Sequence, residues 1–358
     1  MAETEELPEE IIVNILTWLP LKSLIRFTSV SKRLHSIILS DPKFAQSQLK
    51  AARQQKTLSH RLLVSTDAPQ LESLQLDDTP SFGDPSSVRK LSFPFQPQPG
   101  GYIKLLGSCN GLVFVAVDKK FFYIWNPSIG FFKQLPDPVF PLYENVLAYY
   151  GVAYLSATDD YKVLVATFGF GGTKLEVEIF SVRTHIWERI ESLSDVELRS
   201  QGTFSNNALH WLNHHNQHDG KSLSYLGVCG GCLCVSRIPK GACDSIDLWV
   251  MKEYDVCDSW SMLFSLKLSH PPELRLHSRE FLVVETSTVV VNWTVKGFEL
   301  IRIDHTEDEK LGRYMLKAVR ICMIEYEESL LWISGYHSVK RDGGQVKILK
   351  THQKASGS

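Results

Sequence analysis

Apolar positions near the N-terminus repeat with the spacing of a helix. Plotted at 100° per residue from Glu9 to Leu19, they cover an arc of roughly 220°. They are Ile11, Ile12, Val13, Ile15, Leu16, Trp18 and Leu19. A helix at the edge of a domain needs an apolar stripe of only about 100°. Because a segment of about forty residues rarely closes a core alone, the pattern predicts that another protein covers part of this surface.

Proline and short polar residues divide the same segment into helices. Pro8 favours the start of the first helix and Pro20 its end. Residues 21–28 form a second predicted helix, Ser31 can cap a third, and Asp41-Pro42 opens a fourth. The N-terminal region is therefore predicted to be all-α.

The pattern changes to strands at about residue 61. From there to about 338 the chain consists of short β-branched and aromatic runs, broken by Gly, Pro, Asn and Asp. We expect a helical box at 1–46, a helical connector at 47–60, a β domain at 61–338 and a basic, mobile tail at 339–358. Within the β domain, residues 77–101 are rich in Pro, Gly and Ser and predict a long loop.

A weak repeat indicates the architecture of the β domain. Two strand–turn units each place two aromatic residues seven apart, Trp125 with Phe132 and Phe180 with Trp187. A third, longer unit runs from Leu248 to Trp260. Repeats of about this length in an all-strand chain are typical of β-propeller blades, in which the aromatic residues pack on the neighbouring blade. The spacing leaves open whether the ring has six or seven blades.

Composition excludes several classes of function. The formal net charge is -2 and 44% of the residues are hydrophobic, which suits a globular protein and argues against nucleic acid or a membrane surface as partner. A helix-turn-helix DNA-binding domain is disfavoured because the predicted helices carry few basic residues. No apolar run reaches membrane-spanning length, and no secretory signal begins the chain. Seven cysteines then suggest reduced thiols and a cytoplasmic or nuclear location, and a nuclear signal in the basic tail is an open alternative.

One cluster of cysteine and histidine residues has the ingredients of a metal site. Cys229 and Cys232 have zinc-ligand spacing, and the nearby candidates are Cys234, Cys243, Cys257, His210, His214, His215 and His218. The alternatives are a redox pair or ordinary strand residues. The strand interpretation is favoured because Cys234 alternates with Leu233 and Val235, and because reduced cysteine packs as a small apolar residue. We therefore predict no metal site, no cofactor and no catalytic residue.

The N-terminal segment resembles an F-box. The resemblance is carried by Leu7-Pro8-x-Glu10-Ile11, Ile15-Leu16, Leu19-Pro20, Ser23-Leu24, Phe27, Val30-Ser31-Lys32-Arg33 and Asp41-Pro42-x-Phe44. It departs at Leu34-His35, where many members carry an aromatic residue. In that family the helices bind a Skp-type adaptor, which connects them to a cullin and a RING subunit. The adaptor-binding residues expected here are Leu7, Pro8, Ile11, Ile12, Leu16, Leu19, Pro20, Leu24 and Val30.

The β domain resembles the plant F-box-associated interaction domain, which is related to kelch propellers. The matching runs are Ser108–Leu112, Trp125–Ser128, Asp159–Val163, Ala208–Trp211 and Leu248–Tyr254 with Ser259-Trp260. After Trp211 the family pattern has about two strands more than this chain. We therefore expect a small all-α F-box followed by an all-β, kelch-type propeller with one incomplete blade, in a plant protein.

These resemblances imply a non-catalytic substrate receptor of an SCF-type ubiquitin ligase. The propeller would hold an unidentified target protein while the box holds the adaptor. Two alternatives remain. One is a propeller lectin or enzyme with a helical cap, and the other is a decoy that binds the adaptor but no target.

Overall fold

The fold is a helical N-terminal segment followed by strands. The computed structural model describes residues 7–66, 70–76, 82–94, 98, 101, 103–118, 120–138, 147–168, 175–190, 200–212, 222–238, 245–267, 281–283, 287–294, 296–304, 310–333, 341–342 and 345–346. Its helices are α1 (Glu9–Thr17), α2 (Leu21–Phe27), α3 (Lys32–Ser40) and α4 (Pro42–Gln54), with a 3-10 helix at Cys257–Ser259. The strands of the N-terminal half are β1 (His60–Thr66), β2 (Leu71–Gln75), β3 (Val88–Leu91), β4 (Ile103–Cys109), β5 (Leu112–Val117), β6 (Phe121–Asn126), β7 (Phe131–Gln134), β8 (Tyr149–Leu155), β9 (Asp160–Phe168), β10 (Leu175–Ser181) and β11 (Ile186–Ile190). The later strands are β12 (Thr203–Ser205), β13 (Ala208–His210), β14 (Ser222–Cys229), β15 (Cys232–Ile238), β16 (Ser245–Met251), β17 (Trp260–Lys267), β18 (Phe281–Val283), β19 (Ser287–Thr294), β20 (Gly297–Asp304), β21 (Lys310–Leu316), β22 (Ile321–Glu327), β23 (Arg341–Asp342) and β24 (Gln345–Val346).

The helices begin where the sequence places caps. Pro8 and Pro20 are the residues before α1 and α2. The Ser31 Oγ accepts a hydrogen bond of 3.1 Å from the backbone N–H of Leu34, and Asp41 Oδ1 accepts one of 2.9 Å from Lys43. Both predicted side-chain caps are therefore confirmed. The fourth helix continues to Gln54, so it takes up about half of the segment expected to be a connector.

The strands that the structure describes form a β-propeller of five full blades. Blade 1 consists of β22, β1, β2 and β3, blade 2 of β4–β7, blade 3 of β8–β11, blade 4 of β14–β17 and blade 5 of β18–β21. Each is a four-stranded antiparallel sheet. The hairpin β12–β13 lies between blades 3 and 4, where it contacts β8 and β14, and the structure pairs neither of its strands with a described third strand. The predicted propeller is thus confirmed, and the described residues form a two-stranded unit where the incomplete blade was predicted. The number of full blades among the described residues is below the six or seven left open.

The ring closes by pairing the two ends of the β domain. Strand β22 pairs antiparallel with β1, with His60 opposite Glu327 and Thr66 opposite Ile321. Residues more than 250 positions apart in sequence therefore share one blade, which ties the start of the propeller to its end. The segment 77–101 also differs from its prediction as a long loop, because β3 lies inside it and pairs with β2.

The predicted aromatic repeat corresponds to the outer strand pairs of the blades. Trp125 lies opposite Phe132, and Phe180 lies opposite Trp187. The Trp187 ring also packs on Phe122 of blade 2, with centroids 5.7 Å apart, and its Nε1 donates a 2.8 Å hydrogen bond to the carbonyl oxygen of Pro136. The predicted packing of a repeat aromatic on the next blade is confirmed at this position.

One apolar cluster joins the helices to the propeller. It contains Leu24, Ile38 and Phe44 from the helices together with Phe114 of blade 2 and Val165 of blade 3. All five side chains are buried. The helical segment is therefore seated on blades 2 and 3, and its inner side is closed by this chain's own strands.

Candidate functional site

The apolar arc of α1 divides into a buried side and an exposed side. Leu16 is buried in the core shared with the propeller, and Ile12, Val13 and Leu19 pack against that core. On the other side Ile11, Ile15 and Trp18 are 45%, 52% and 49% exposed. Half of the predicted apolar surface therefore remains open after the rest of the chain has folded around the helix.

Large apolar side chains also remain exposed before and after α1, and we call the full set the box face. Its members are large apolar side chains left exposed within one short segment: Leu7, Ile11, Ile15, Trp18, Phe27 and Val30. The most exposed, Val30, reaches 67%. Surfaces of soluble proteins seldom concentrate apolar side chains in this way unless they bind a partner.

The structure divides the nine expected adaptor-binding residues into three groups. Leu7, Pro8, Ile11, Pro20 and Val30 are exposed, and Ile12 and Leu19 are half-buried. Leu16 and Leu24 are only 4% and 0% exposed, so they lie in the core of the helical segment. Adaptor binding by the remaining residues stays a prediction.

Sequence reasoning missed three members of the box face, Ile15, Trp18 and Phe27. For α1 the missing signal was the angular position around the helix. Ile15 and Trp18 fall on the same side of the arc as Ile11, whereas Leu16 falls on the opposite side. Which side would meet the propeller could not be read from the arc alone.

Polar contacts fix how the box sits on the propeller. Arg53 at the end of α4 forms an ion pair of 2.6 Å with Glu327 of β22 and donates a 2.8 Å hydrogen bond to Asn110 Oδ1. Asn110 in turn donates to the hydroxyl of Tyr161 at 2.9 Å. The last turn of the box is thereby connected to blades 1, 2 and 3, so the box face has a defined direction relative to the propeller.

A cavity of about 470 Å³ lies at the centre of the ring. The innermost strands line it, together with the segment 200–204 that leads into β12. Lys104 contributes an ammonium group 5.1 Å from the centroid of the Tyr150 ring, and burial raises the pKa of both Tyr150 and Tyr225. Both phenols are thus neutral at physiological pH, which makes them unsuitable as bases.

The cysteine cluster lies in blade 4 as ordinary strand residues. Cys229 and Cys232 face each other across the β14–β15 turn, and Cys234 is buried in an apolar cluster with Leu248 and Val283. Burial raises the pKa of the Cys234 thiol to about 12, so it stays protonated at neutral pH. Among the residues that the structure describes, no group of three or more His, Cys, Asp or Glu side chains could hold a metal ion.

The histidine candidates have separate positions. His210 Nε2 lies 3.0 Å from the Tyr254 hydroxyl, while His214, His215, His218 and Cys243 fall outside the described residues. Nor does the described part of the chain contain a helix long and apolar enough to cross a membrane.

Comparison with protein-family models matches both parts of the chain. Residues 5–46 match the F-box domain. Residues 71–228 match the F-box associated beta propeller domain. The two matches cover the helical segment that carries the box face and blades from the first half of the ring.

Curated proteins similar to this chain are named as F-box proteins. F-box protein CPR1 of Arabidopsis thaliana is 26% identical, and the similarity covers 97% of this chain and 92% of that protein. An F-box/kelch-repeat protein of Arabidopsis thaliana is 28% identical over 74% of this chain and 81% of its own length. Among solved structures, TolB from Acinetobacter baumannii is 9% identical to this chain, and the similarity covers 80% of this chain and 72% of the TolB chain. The TM-score is 0.43, so this likeness is too distant to carry an argument.

Proposed function

This chain is an F-box protein with an F-box associated β-propeller domain, and we propose that it is the substrate-recognition subunit of an SCF-type (cullin–RING) ubiquitin ligase. The box face binds a Skp-type adaptor and through it the cullin and RING subunits. The propeller binds a target protein. F-box proteins are generally non-catalytic, and this chain is assigned the same role.

One observation supports the adaptor assignment most directly. The box is already closed on its inner side by blades 2 and 3, yet six large apolar side chains remain exposed on its outer side. Exposed apolar surface costs about 25 cal/mol per Å² relative to burial. A second protein that covers the box face would recover that free energy.

The proposed mechanism is proximity. Binding the adaptor and the target on one rigid chain converts ubiquitin transfer to a target lysine into an effectively intramolecular step. The Arg53 contacts and the shared apolar core hold the box and the propeller in one orientation. No side chain of this protein needs to react.

The test is capture of a purified Skp-type adaptor by the full chain and by two variants. Ile15→Asp places a charge at a 52% exposed position of the box face, and Val319→Asp places one at a 76% exposed position on the propeller. We expect Ile15→Asp to weaken adaptor binding by at least about thirtyfold because an apolar contact is replaced by a desolvated charge. Val319→Asp should bind like the parent chain.

Equal adaptor binding by both variants would contradict the assignment. Leu16→Asp is unsuitable for this test, because Leu16 is buried and the charge would disrupt the box itself. We propose a cytoplasmic or nuclear location for this protein. Imaging of a fluorescent fusion in plant cells can check it.

The incomplete blade motivates a second candidate, a decoy that binds the adaptor and no target. The two proposals differ in one measurable outcome. A receptor promotes ubiquitination of a bound protein when it is reconstituted with adaptor, cullin, RING subunit and ubiquitin-loaded enzyme, whereas a decoy lowers the activity of other receptors by occupying the adaptor.

A further inference from the structure

The central cavity of the ring has the size of a small-ligand pocket. It measures about 470 Å³ and is lined by one inner strand from each blade, β4, β8, β14, β18 and β22, together with segment 200–204. Pockets that hold small organic ligands measure about 300–1,000 Å³. Neither the box face nor the proximity mechanism uses this cavity.

The two ends of the cavity differ in their position relative to the box. Arg53 of the box contacts Glu327, the last residue of β22, and Asn110, which directly follows β4. Both strands therefore end beside the box. Lys104 is the second residue of β4, so at about 3.3 Å per residue it lies roughly 15 Å from that end. We call the end of the cavity at Lys104 the distal end.

A hydrogen-bonded group around Tyr150 forms the wall at the distal end. The Lys104 Nζ lies 5.1 Å from the centroid of the Tyr150 ring, a distance at which the ring attracts a cation. Lys104 and Ser200 both form hydrogen bonds with the Tyr150 hydroxyl. Burial raises the pKa of Tyr150, so this hydroxyl is neutral. The wall therefore carries a lysine ammonium group beside neutral hydroxyl groups.

The negative charge of the cavity wall lies nearer the box. Among the described residues that line the cavity, Glu325 is the one carboxylate and Lys104 the one cation. Glu325 Oε1 lies 2.7 Å from His60 Nδ1, so this carboxylate has a partner within the chain. Glu325 is the fifth residue of β22, whereas Arg320 directly precedes that strand. The distal end is therefore the positive end.

Apolar side chains line the cavity beyond the Lys104 ammonium group. Val152 lies two residues after Tyr150 on β8, so it is on the same side of the strand and about 7 Å nearer the box. Leu226 of β14 and the β18 residues Leu282 and Val283 line the same cavity. A ligand with a negative group at the distal end can thus place an apolar group deeper in the ring.

Two β-bulges shape the inner strands at this cavity. The pairing of β4 with β5 shifts between Leu105 and Gly107. The pairing of β14 with β15 shifts between Leu223 and Tyr225. Gly227 makes room for the Tyr225 ring, because a Cβ atom there would overlap the Tyr225 hydroxyl. Bulges redirect side chains and are frequent beside functional sites, so both irregular strands are consistent with a binding cavity.

We propose that the central cavity binds a carboxylate ligand with an adjoining apolar group, and that the carboxylate lies at Lys104. This inference goes beyond the proposed function and does not depend on adaptor binding. A hydrogen bond between an ammonium group and a carboxylate is among the strong ones in proteins. The apolar group is removed from water beside Val152 and the β18 residues.

The charges in the cavity disfavour other classes of ligand. A cation at the distal end would be repelled by Lys104 and by the nearby Arg320, and the deeper carboxylate of Glu325 is paired with His60. A purely apolar ligand would displace water from the ammonium group and give it no hydrogen bond in return. A carboxylate with an apolar neighbour satisfies both parts of the wall.

The experiment titrates the full chain with N-acetylleucine and with N-acetylleucine amide. The two probes have nearly the same shape and differ by one negative charge. Ligand-observed NMR measures both dissociation constants. We expect a value on the order of 1 mM for the acid, as suits a ligand of this size. The amide should bind at least about tenfold more weakly, because it lacks the charged hydrogen bond.

Three single-charge variants locate the carboxylate. Lys104→Met removes the ammonium group and keeps most of the side-chain volume, so the acid and the amide should bind equally. Lys104→Arg keeps the charge and should keep the preference for the acid. Lys90→Met removes the same charge from an exposed position on β3 and should leave the preference unchanged.

Two sources of the carboxylate share this chemistry, a small organic acid and an acidic side chain of a bound protein. A tetrapeptide of alanine, glutamate, leucine and alanine, blocked at both ends, carries its carboxylate only on a side chain. Its counterpart has glutamine in place of glutamate. A glutamate preference that disappears in Lys104→Met would assign the cavity to a protein side chain. Binding of N-acetylleucine without binding of the peptide would assign it to a small organic acid.

Three results would overturn the inference. The first is no binding of N-acetylleucine or of the glutamate peptide up to about 20 mM. The second is equal binding of each acid and its neutral counterpart by the parent chain, and the third is a preference for the acid that survives Lys104→Met. Adaptor capture is measured on the same preparations. Carboxylate binding by a chain that fails to capture the adaptor would contradict the proposed function and leave the cavity assignment standing.

Discussion

The outermost strand of blade 3, β11, has one buried side and one exposed side, and the two can be compared residue by residue. On β11, Trp187 is buried against blade 2, whereas Ile186 beside it is 55% exposed. Both residues belong to the same strand and the same sheet. The difference comes only from what lies opposite, a full blade on one side and a two-stranded hairpin on the other.

The first helix, α1, also has a buried side and an exposed side. Leu16 is buried in the apolar cluster that joins the box to the propeller, while Ile15 next to it is 52% exposed. The two open faces nevertheless differ in kind. The box face offers side chains on a helix whose backbone groups are already paired, so it suits a partner of fixed shape. The exposed side of β11 instead offers side chains on the outermost strand of a sheet, next to a hairpin of two described strands.

The largest expected effect is the difference in unfolding free energy between a substitution on the buried side of blade 3 and one on its exposed side. Phe180→Ala removes a fully buried ring that packs 5.0 Å from the Trp187 ring, and should lower the free energy of unfolding by about 3–5 kcal/mol. Ile190→Ala on the open face should lower it by less than about 1 kcal/mol. Urea denaturation of the full chain measures both values.

The outcome for Ile190→Ala decides whether the exposed side of β11 is open in solution. A loss as large as that of Phe180→Ala would mean that another part of this chain covers Ile190. A small loss keeps the contrast between the faces and leaves Ile190 available to a partner.

Local features of this fold were predictable because their causes are local. Ser31 and Asp41 cap helices through contacts two or three residues away. The seven-residue spacing of Phe180 and Trp187 reflects one turn between two paired strands. The shortage of residues after Trp211 predicted the incomplete blade, since two strands need a minimum length of chain.

Features set by distant contacts were not predictable from a single sequence. Pairing of β1 with β22 joins residues at opposite ends of the β domain. The strand β3 gains its place by pairing with β2 despite the prolines and glycines around it. For the same reason the arc of α1 predicted that part of its surface stays open, but only the packing of the helices, with α1 against α4, decided that Leu16 is buried and Ile15 is not.

A smaller effect tests whether water reaches the buried contact between blades 2 and 3. Lys133 of blade 2 is 4% exposed, its Nζ lies 2.7 Å from His185 Nε2 of blade 3, and burial lowers its pKa to about 8. The unfolded chain keeps the ordinary, higher pKa and therefore binds more protons between about pH 8 and 10. Stability must then rise with pH across that window. We expect a gain on the order of 1 kcal/mol between about pH 7.5 and 9.5.

Lys133→Met provides the control for this pH dependence, because methionine fills similar space without a titrating group. The difference in unfolding free energy between the parent chain and the variant should change with pH in this window. Taking the difference cancels the contributions of tyrosines elsewhere, because they are the same in both chains. A constant difference would show that water reaches the seam between blades 2 and 3, and the contrast between closed and open faces would be weaker than the structure indicates.

The smallest expected effect concerns what holds the box against the propeller. The Arg53 side chain is 45% exposed where it pairs with Glu327, and ion pairs at such positions contribute at most about 1 kcal/mol because solvent screens them. Arg53→Ala should therefore cost about 0.5 kcal/mol in urea denaturation. Arg33→Ala, which breaks a more exposed pair with Glu9 at 3.2 Å, should cost less. If Arg53→Ala instead lowered stability by more than about 2 kcal/mol, the junction would depend more on its polar network than on the apolar core shared by the box and blades 2 and 3.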